Sequence, residues 1–213
     1  MKILSPSILA YDVCDISGGV GLIKQTSAEW VHIDVMDGLF VPKITFGQSV
    51  IAGIKKLTSQ KLDVHLMTQF PEKLVPSMVL AGADIITFHA ESSSNILNTI
   101  NLIKSYGKMA GLAINPSTSV YSITEILPLL DMVLVMGVIP GECGQAFLPG
   151  TYGKLSTLSN IKSRPNSKFL IGVDGGVNSR NFDKICLNGA EVFVVGSAFF
   201  SETDFFNRAF KKG

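Results

Sequence analysis

The stretch "HIDVMDG", residues 32–38, ends an apolar run in a histidine, two aspartates and a glycine. His32 and Asp34 are two apart, so on an extended strand they share one face. His65 takes a similar place in "DVHLM", and Asp174 closes its run in "GVDGG". Two neutral imidazoles and two carboxylates make a mixed nitrogen and oxygen donor set suited to Zn²⁺, Fe²⁺ or Mn²⁺. Any one of them alone reads as a satisfied core histidine or a turn-capping aspartate. Their joint placement at the ends of apolar runs points instead to a site.

Other residues fill in the surroundings. The glycine clusters Gly175–Gly176 and Gly196–Ser197 offer backbone N–H groups of the kind that cradle phosphate. "PGECGQAF" adds Gly141 and Gly144 in a loop that is either a lid or a connector. Met36, Met67 and Met136 also end apolar runs, as core filler or as a polarisable floor that keeps water from a reactive intermediate. His89 in "FHAES" has no carboxylate beside it on its strand and is expected to be structural or to support a ligand. Asp37 has the opposite parity to Asp34 and precedes Gly38, which suits a turn.

The elements that must position these residues form a regular series. The β-rich runs "KILSPSIL", "WVHIDVM", "KLDVHLM", "ADIITFH", "KMAGLAI", "DMVLVM", "KFLIGVD" and "AEVFVVG" predict eight strands. Amphipathic stretches such as "FPEKLVPSMVLAGA", "NILNTINLIKSYG" and "SRNFDKICLNGA" lie between them. Strands this apolar on both faces suit a parallel sheet covered by helices, and eight such units within 213 residues suit an α/β fold of the (β/α)8 TIM-barrel type. A doubly wound sheet usually carries a glycine fingerprint after its first strand, where this chain reads "SILAYDV". One domain, 1–213, is expected, with the polar residues gathered on the barrel's catalytic face.

Composition limits the partners. Charged residues are 16% and the net charge is +1, so neither a nucleic-acid surface nor an acidic tail is indicated, and a small molecule fits better. No apolar run approaches the roughly 18 residues of a membrane span, and the opening "MKILSPSILA" lacks a signal peptide's cleavage pattern. Cys14, Cys143 and Cys186 are odd in number and widely spaced, which argues against a disulfide framework and for a reducing, cytoplasmic setting.

The series "SPSILAYD", "HIDVMDGLFVPKITFG", "DVHLM", "GLAINPSTSV", "LVMGVIPG", "VDGGV" and "VGSAFF" resembles the ribulose-phosphate 3-epimerases over almost the whole chain. The resemblance implies a ribulose-phosphate-binding barrel that interconverts D-ribulose 5-phosphate and D-xylulose 5-phosphate in the pentose phosphate pathway. It implies a divalent metal, Zn²⁺ first and Fe²⁺, Mn²⁺ or Co²⁺ otherwise, and no organic cofactor; a homo-oligomer is also expected. His32, Asp34, His65 and Asp174 would be the metal ligands, with Asp34 and Asp174 also the acid/base pair. Ser7, His65, the three methionines, and Gly141, Gly144, Gly175, Gly176, Gly196 and Ser197 would contact substrate. Inverting a carbon beside a carbonyl requires a proton removed from one face and one returned to the other through an enediolate, which explains two carboxylates.

The chain departs from the family pattern after strand six. "IPGECGQ" stands where "NPGFGGQ" is usual, so Glu142 replaces an aromatic and Cys143 a glycine, and Gly137 stands where Thr is common. A carboxylate near a phosphate is repulsive, and a Cβ at 143 restricts close approach. Cys143 as a nucleophile has no neighbouring histidine in sequence. Three rivals follow: an epimerase for a longer ketose phosphate such as D-allulose 6-phosphate, a decarboxylase or synthase of the phosphate-binding barrel group, and a non-catalytic sugar-phosphate sensor. The second needs Asp-x-Lys-x-x-Asp, whereas Met36 stands at the lysine position. Retention of all four ligand candidates weighs against the third.

Overall fold

The computed structural model describes residues 2–93, 95–142, 144–164 and 167–211. The eight strands are β1 (Ile3–Pro6), β2 (Trp30–Met36), β3 (Lys61–Met67), β4 (Ile85–His89), β5 (Met109–Ile114), β6 (Met132–Met136), β7 (Leu170–Asp174) and β8 (Val192–Val195). All pair in parallel, in the order β1-β8-β7-β6-β5-β4-β3-β2. At the remaining seam Ser7 bridges to His32 and the Glu29 N–H donates to the Leu4 carbonyl at 3.2 Å. The sheet therefore curls into the expected (β/α)8 barrel.

Among the described residues, eight helices surround or follow the strands: α1 (Ile16–Lys24), α2 (Gln48–Leu57), α3 (Pro71–Ala81), α4 (Ile96–Ser105), α5 (Gly150–Lys162), α6 (Phe182–Leu187), α7 (Ser197–Ser201) and α8 (Thr203–Ala209). Local chemistry accounts for their ends. Asp15 accepts from the Gly18 N–H and Asn95 from the Asn98 N–H, satisfying first-turn donors of α1 and α4. Pro71 opens α3, where its fixed φ suits the first turn, and Gly82 closes it at φ +107°.

The expected alternation fails once. Between β5 and β6 only two 3-10 turns form, Val120–Ile123 and Leu127–Leu129. That connection holds Pro116 and Pro128, and its Ser119, Ser122 and Thr124 hydroxyls bond neighbouring backbone groups in competition with a helix.

Alternation along each strand separates two cores. Outward residues such as Val31, Ile33, Val64, Leu66 and Val133 pack beneath the helices with Ile51, Ile54, Val75 and Leu155. Inside, Ile3, Trp30, Ile85, Met132 and Val192 form an apolar floor at the strands' N-terminal ends. The same inward parity carries Ser5, His32, Asp34, Asp63, His65, Thr87 and His89, all buried, in layers above that floor. Among the described residues no helix is long and apolar enough to cross a membrane.

Candidate active site

Strands β2 and β3 pair so that His32 stands opposite Asp63, Asp34 opposite His65 and Met36 opposite Met67. This register turns two sequence motifs into one cluster. Asp34 Oδ1 lies 3.3 Å from both His32 Nε2 and His65 Nδ1. Asp174, at the end of β7, places Oδ2 3.8 Å from His32 Nε2 and 3.4 Å from His65 Nδ1. One donor atom from each of the four residues lies within 4.8 Å of the others, the spread of a metal's ligand shell.

The electrostatics of this cluster ask for a cation. Burial disfavours a charged His32, yet Asp63 and Asp34 outweigh it and raise its pKa well above the usual imidazole value. His65 is likewise raised against its burial, through Asp174 and Asp34. Asp34 is held far below the carboxylate range: burial pushes it up, but the two imidazoles pull it down more strongly. His32 Nε2 and His65 Nδ1 nevertheless have no hydrogen-bond partner of acceptable geometry, an expensive state for buried nitrogen atoms. A divalent cation would satisfy both nitrogens and the two carboxylates at once, so the residues fit a metal.

The other imidazole nitrogens are held from behind. His32 Nδ1 bonds Asp63 Oδ2 at 2.7 Å, and Ser5 Oγ donates to the same oxygen at 3.1 Å. His65 Nε2 lies 2.9 Å from His89 Nε2, whose Nδ1 lies 3.3 Å from Glu91 Oε2. His89 therefore does have a nearby carboxylate: Glu91, two residues on, returns beneath it from the loop after β4. Burial and the facing His65 lower the His89 pKa to about 4, against the pull of Glu91. Asp37 serves the turn, its Oδ1 accepting from the Leu39 and Phe40 N–H groups and its Oδ2 from Gln69 N–H.

Above the cluster opens a cavity of about 360 Å³ at the strands' C-terminal ends. Ser7, Asp34, Met36, Met67, Met136, Gly141, Gly144, Asp174, Gly175, Gly176, Gly196 and Ser197 all line it. His32 and His65 lie buried below it, so only the two carboxylates of the cluster reach the opening. Gly176 is required sterically: at φ +69°, a Cβ there would stand 2.7 Å from the Phe147 backbone nitrogen. Glu142 lines the cavity and pairs with Lys43 across 3.8 Å. Cys143 lies outside the described residues. Arg180 went unread in the sequence; it is the single lysine or arginine among the described lining residues. Its position six residues past Asp174, just after the glycine pair, was the available signal.

A parallel barrel that raises paired carboxylates over buried imidazoles at its C-terminal face defines an enzyme built on the (β/α)8 scaffold. The sequence profile of the Ribulose-phosphate 3 epimerase family matches residues 3–200, and the chain belongs to that family of isomerases. It is 40% identical over 200 residues to ribulose-phosphate 3-epimerase of Treponema pallidum, covering 94% of this chain and 92% of that protein. Identity to the Aquifex aeolicus ribulose-phosphate 3-epimerase is 41%, over 96% of this chain and 92% of the relative. The chloroplastic ribulose-5-phosphate-3-epimerase of Arabidopsis thaliana is 40% identical, over 95% and 73%. Among solved structures, a mutant tryptophan synthase α-subunit of Pyrococcus furiosus superposes with a TM-score of 0.69 at 14% identity, over 98% of this chain and 95% of that one. That likeness is one of fold.

Proposed function

We propose that the protein is a metal-dependent epimerase that interconverts D-ribulose 5-phosphate and D-xylulose 5-phosphate by proton exchange at C3. The observation that carries this reading is the pair Asp34 and Asp174, the two acids of the buried cluster that reach the cavity. One takes the C3 proton, leaving an enediolate, and the other returns a proton to the opposite face. Ser7 donates to Asp34 Oδ2 and holds it as the acceptor. Met36, Met67 and Met136 present an apolar wall that excludes competing water.

His32, Asp34, His65 and Asp174 would hold the cation. Zn²⁺, or Fe²⁺, Mn²⁺ or Co²⁺ in its place, supplies positive charge that stabilises the enediolate and makes the C3 proton easier to remove. At the far side, the turn at Gly175 and Gly176, the β8 end at Gly196 and Ser197, and the Arg180 guanidinium suit a phosphate. Cytoplasmic residence belongs to this reading and is supported by the free thiols of Cys14 and Cys186.

Glu142 in the cavity lining favours testing a longer sugar, because a carboxylate there can accept a hydroxyl hydrogen bond. The deciding experiment is a steady-state assay of ribulose 5-phosphate and allulose 6-phosphate side by side in deuterium oxide, with a chelator-treated control. Chelator-sensitive turnover of the pentose with deuterium entering at C3 is the expected result. Preference for the hexose would transfer the chemistry to the longer substrate. Absence of turnover on both would overturn the reading. Asp34→Asn and Asp174→Asn should each lower turnover by roughly 10²–10⁴-fold while leaving the circular dichroism spectrum intact.

A further inference from the structure

Each imidazole of the cluster is tethered through its second nitrogen, but by unlike devices. His32 is served directly by Asp63, inside the barrel and fully buried. His65 instead meets another imidazole: its Nε2 lies 2.9 Å from His89 Nε2, with the rings stacked at 4.9 Å and 21°. Between two facing nitrogens one must donate and the other accept. Which does so is decided one step further out.

His89 Nδ1 lies 3.3 Å from Glu91 Oε2, and a carboxylate only accepts. The His89 proton therefore sits on Nδ1, its Nε2 keeps a lone pair, and His65 must carry its own proton on Nε2. That leaves His65 Nδ1, 3.3 Å from Asp34 and 3.4 Å from Asp174, as the nitrogen on which a cation can take the place of a proton. The far end is anchored. Glu91 Oε1 accepts from the Asn115 N–H at 2.8 Å and from the Thr118 hydroxyl, and Lys154 Nζ donates to the Asn115 and Thr118 carbonyls at 2.6 Å each. Phe40 packs on His89 with ring centroids 4.8 Å apart.

We propose that Glu91, acting through His89, is a positioning residue that fixes the tautomer and orientation of His65 and so presents His65 Nδ1 to the cluster. The inference rests on the reading of His65 as a metal ligand. Its physical content is a chain through β3, β4, the loop after β5 and α5. The turn at 115–118, remote from the reacting atoms, thereby enters the site. Removing an outer-shell partner of a metal-bound histidine typically costs 10–100-fold in metal affinity.

The test uses ¹⁵N-histidine-labelled full-length protein and long-range ¹H–¹⁵N correlation spectra, metal-free and with Zn²⁺, alongside competition titrations of Zn²⁺ affinity. The wild type should show His89 protonated at Nδ1 and His65 at Nε2, before and after Zn²⁺. Glu91→Leu should give His89 mixed tautomers and weaken Zn²⁺ binding by roughly 10–100-fold. Glu91→Gln keeps an acceptor oxygen and should restore both readouts substantially. His65 found without a proton on Nε2 in Zn²⁺-loaded wild type would overturn the proposal, as would a Glu91→Leu variant unchanged in tautomers and affinity. If wild type shows the expected protons but binds no Zn²⁺, the ligand reading fails and takes the proposal's functional half with it. Because the spectra report proton positions without turnover, failure of the tether and failure of the epimerase assignment remain distinguishable.

Discussion

Ser7 Oγ donates to Asp34 Oδ2 at 2.6 Å, joining the end of β1 to the middle of β2 across the barrel's weakest seam. The other oxygen of Asp34 faces both imidazoles, so the Ser7 hydroxyl holds the oxygen that the imidazoles leave. A hydrogen bond to a charged group is worth about 1.5–3 kcal/mol, which corresponds to roughly 10–100-fold in rate if it is made fully in the transition state. Ser7→Ala should lower kcat within that range with the fold retained. Unchanged kcat would show that the bond does not orient the proton acceptor.

Arg180 lines the same cavity as the paired acids and offers it a cation. Because its side chain is exposed, its attraction for a phosphate is screened by salt. Arg180→Ala should raise KM by roughly fivefold with kcat near wild type, and the difference should shrink at high ionic strength. A fall in kcat at constant KM would place the guanidinium at the reacting carbons instead.

Gly176 and Gly144 both hold positive φ, at +69° and +77°, but only Gly176 is crowded, by the Phe147 backbone. Left-handed backbone costs a non-glycine residue about 1–2 kcal/mol. Gly144→Ala should therefore lower Tm by roughly 2–8 °C, and Gly176→Ala by more. Equal losses in a calorimetric comparison would mean that strain alone, without the close approach, sets the requirement.

Asp84 ties the outside of the barrel together. Burial pushes its carboxyl up, but Lys55 at 2.6 Å, the Leu62 N–H at 3.0 Å and Lys108 at 3.7 Å prevail and lower its pKa. A depressed folded value means that the stabilisation is complete above the unfolded value of about 3.9 and is lost as pH falls through the folded one. The urea midpoint of Asp84→Asn should lie below wild type at pH 7, and the gap should close on acidification below about pH 4. A gap independent of pH would assign the loss to packing.

Much of this site is legible without coordinates. Period-two alternation in "WVHIDVM" and "KLDVHLM" gives strands with the observed limits and puts His32, Asp34 and His65 on inward faces. Asp63 has the same parity as His65 and could have been read by the same rule. The helix missing between β5 and β6 was also signalled, by Pro116, Pro128 and a run of hydroxyl residues. Gly175 and Gly176 follow directly on β7, as the strand-ending "DGG" placed them, and both hold positive φ.

What the chain decides by itself is local: steric preference and apolar periodicity set where strands run and which side chains point inward, since both act over a few residues. Tertiary structure decides which of those side chains meet. Parallel pairing brings His65 against Asp34 and His89, and barrel closure brings β7 round to add Asp174. Glu91 reaches His89 because a loop after β5 grips it, and Arg180 lines the cavity from the segment after β7. These contacts depend on register and loop closure between segments distant in sequence, and no periodicity within one segment encodes them.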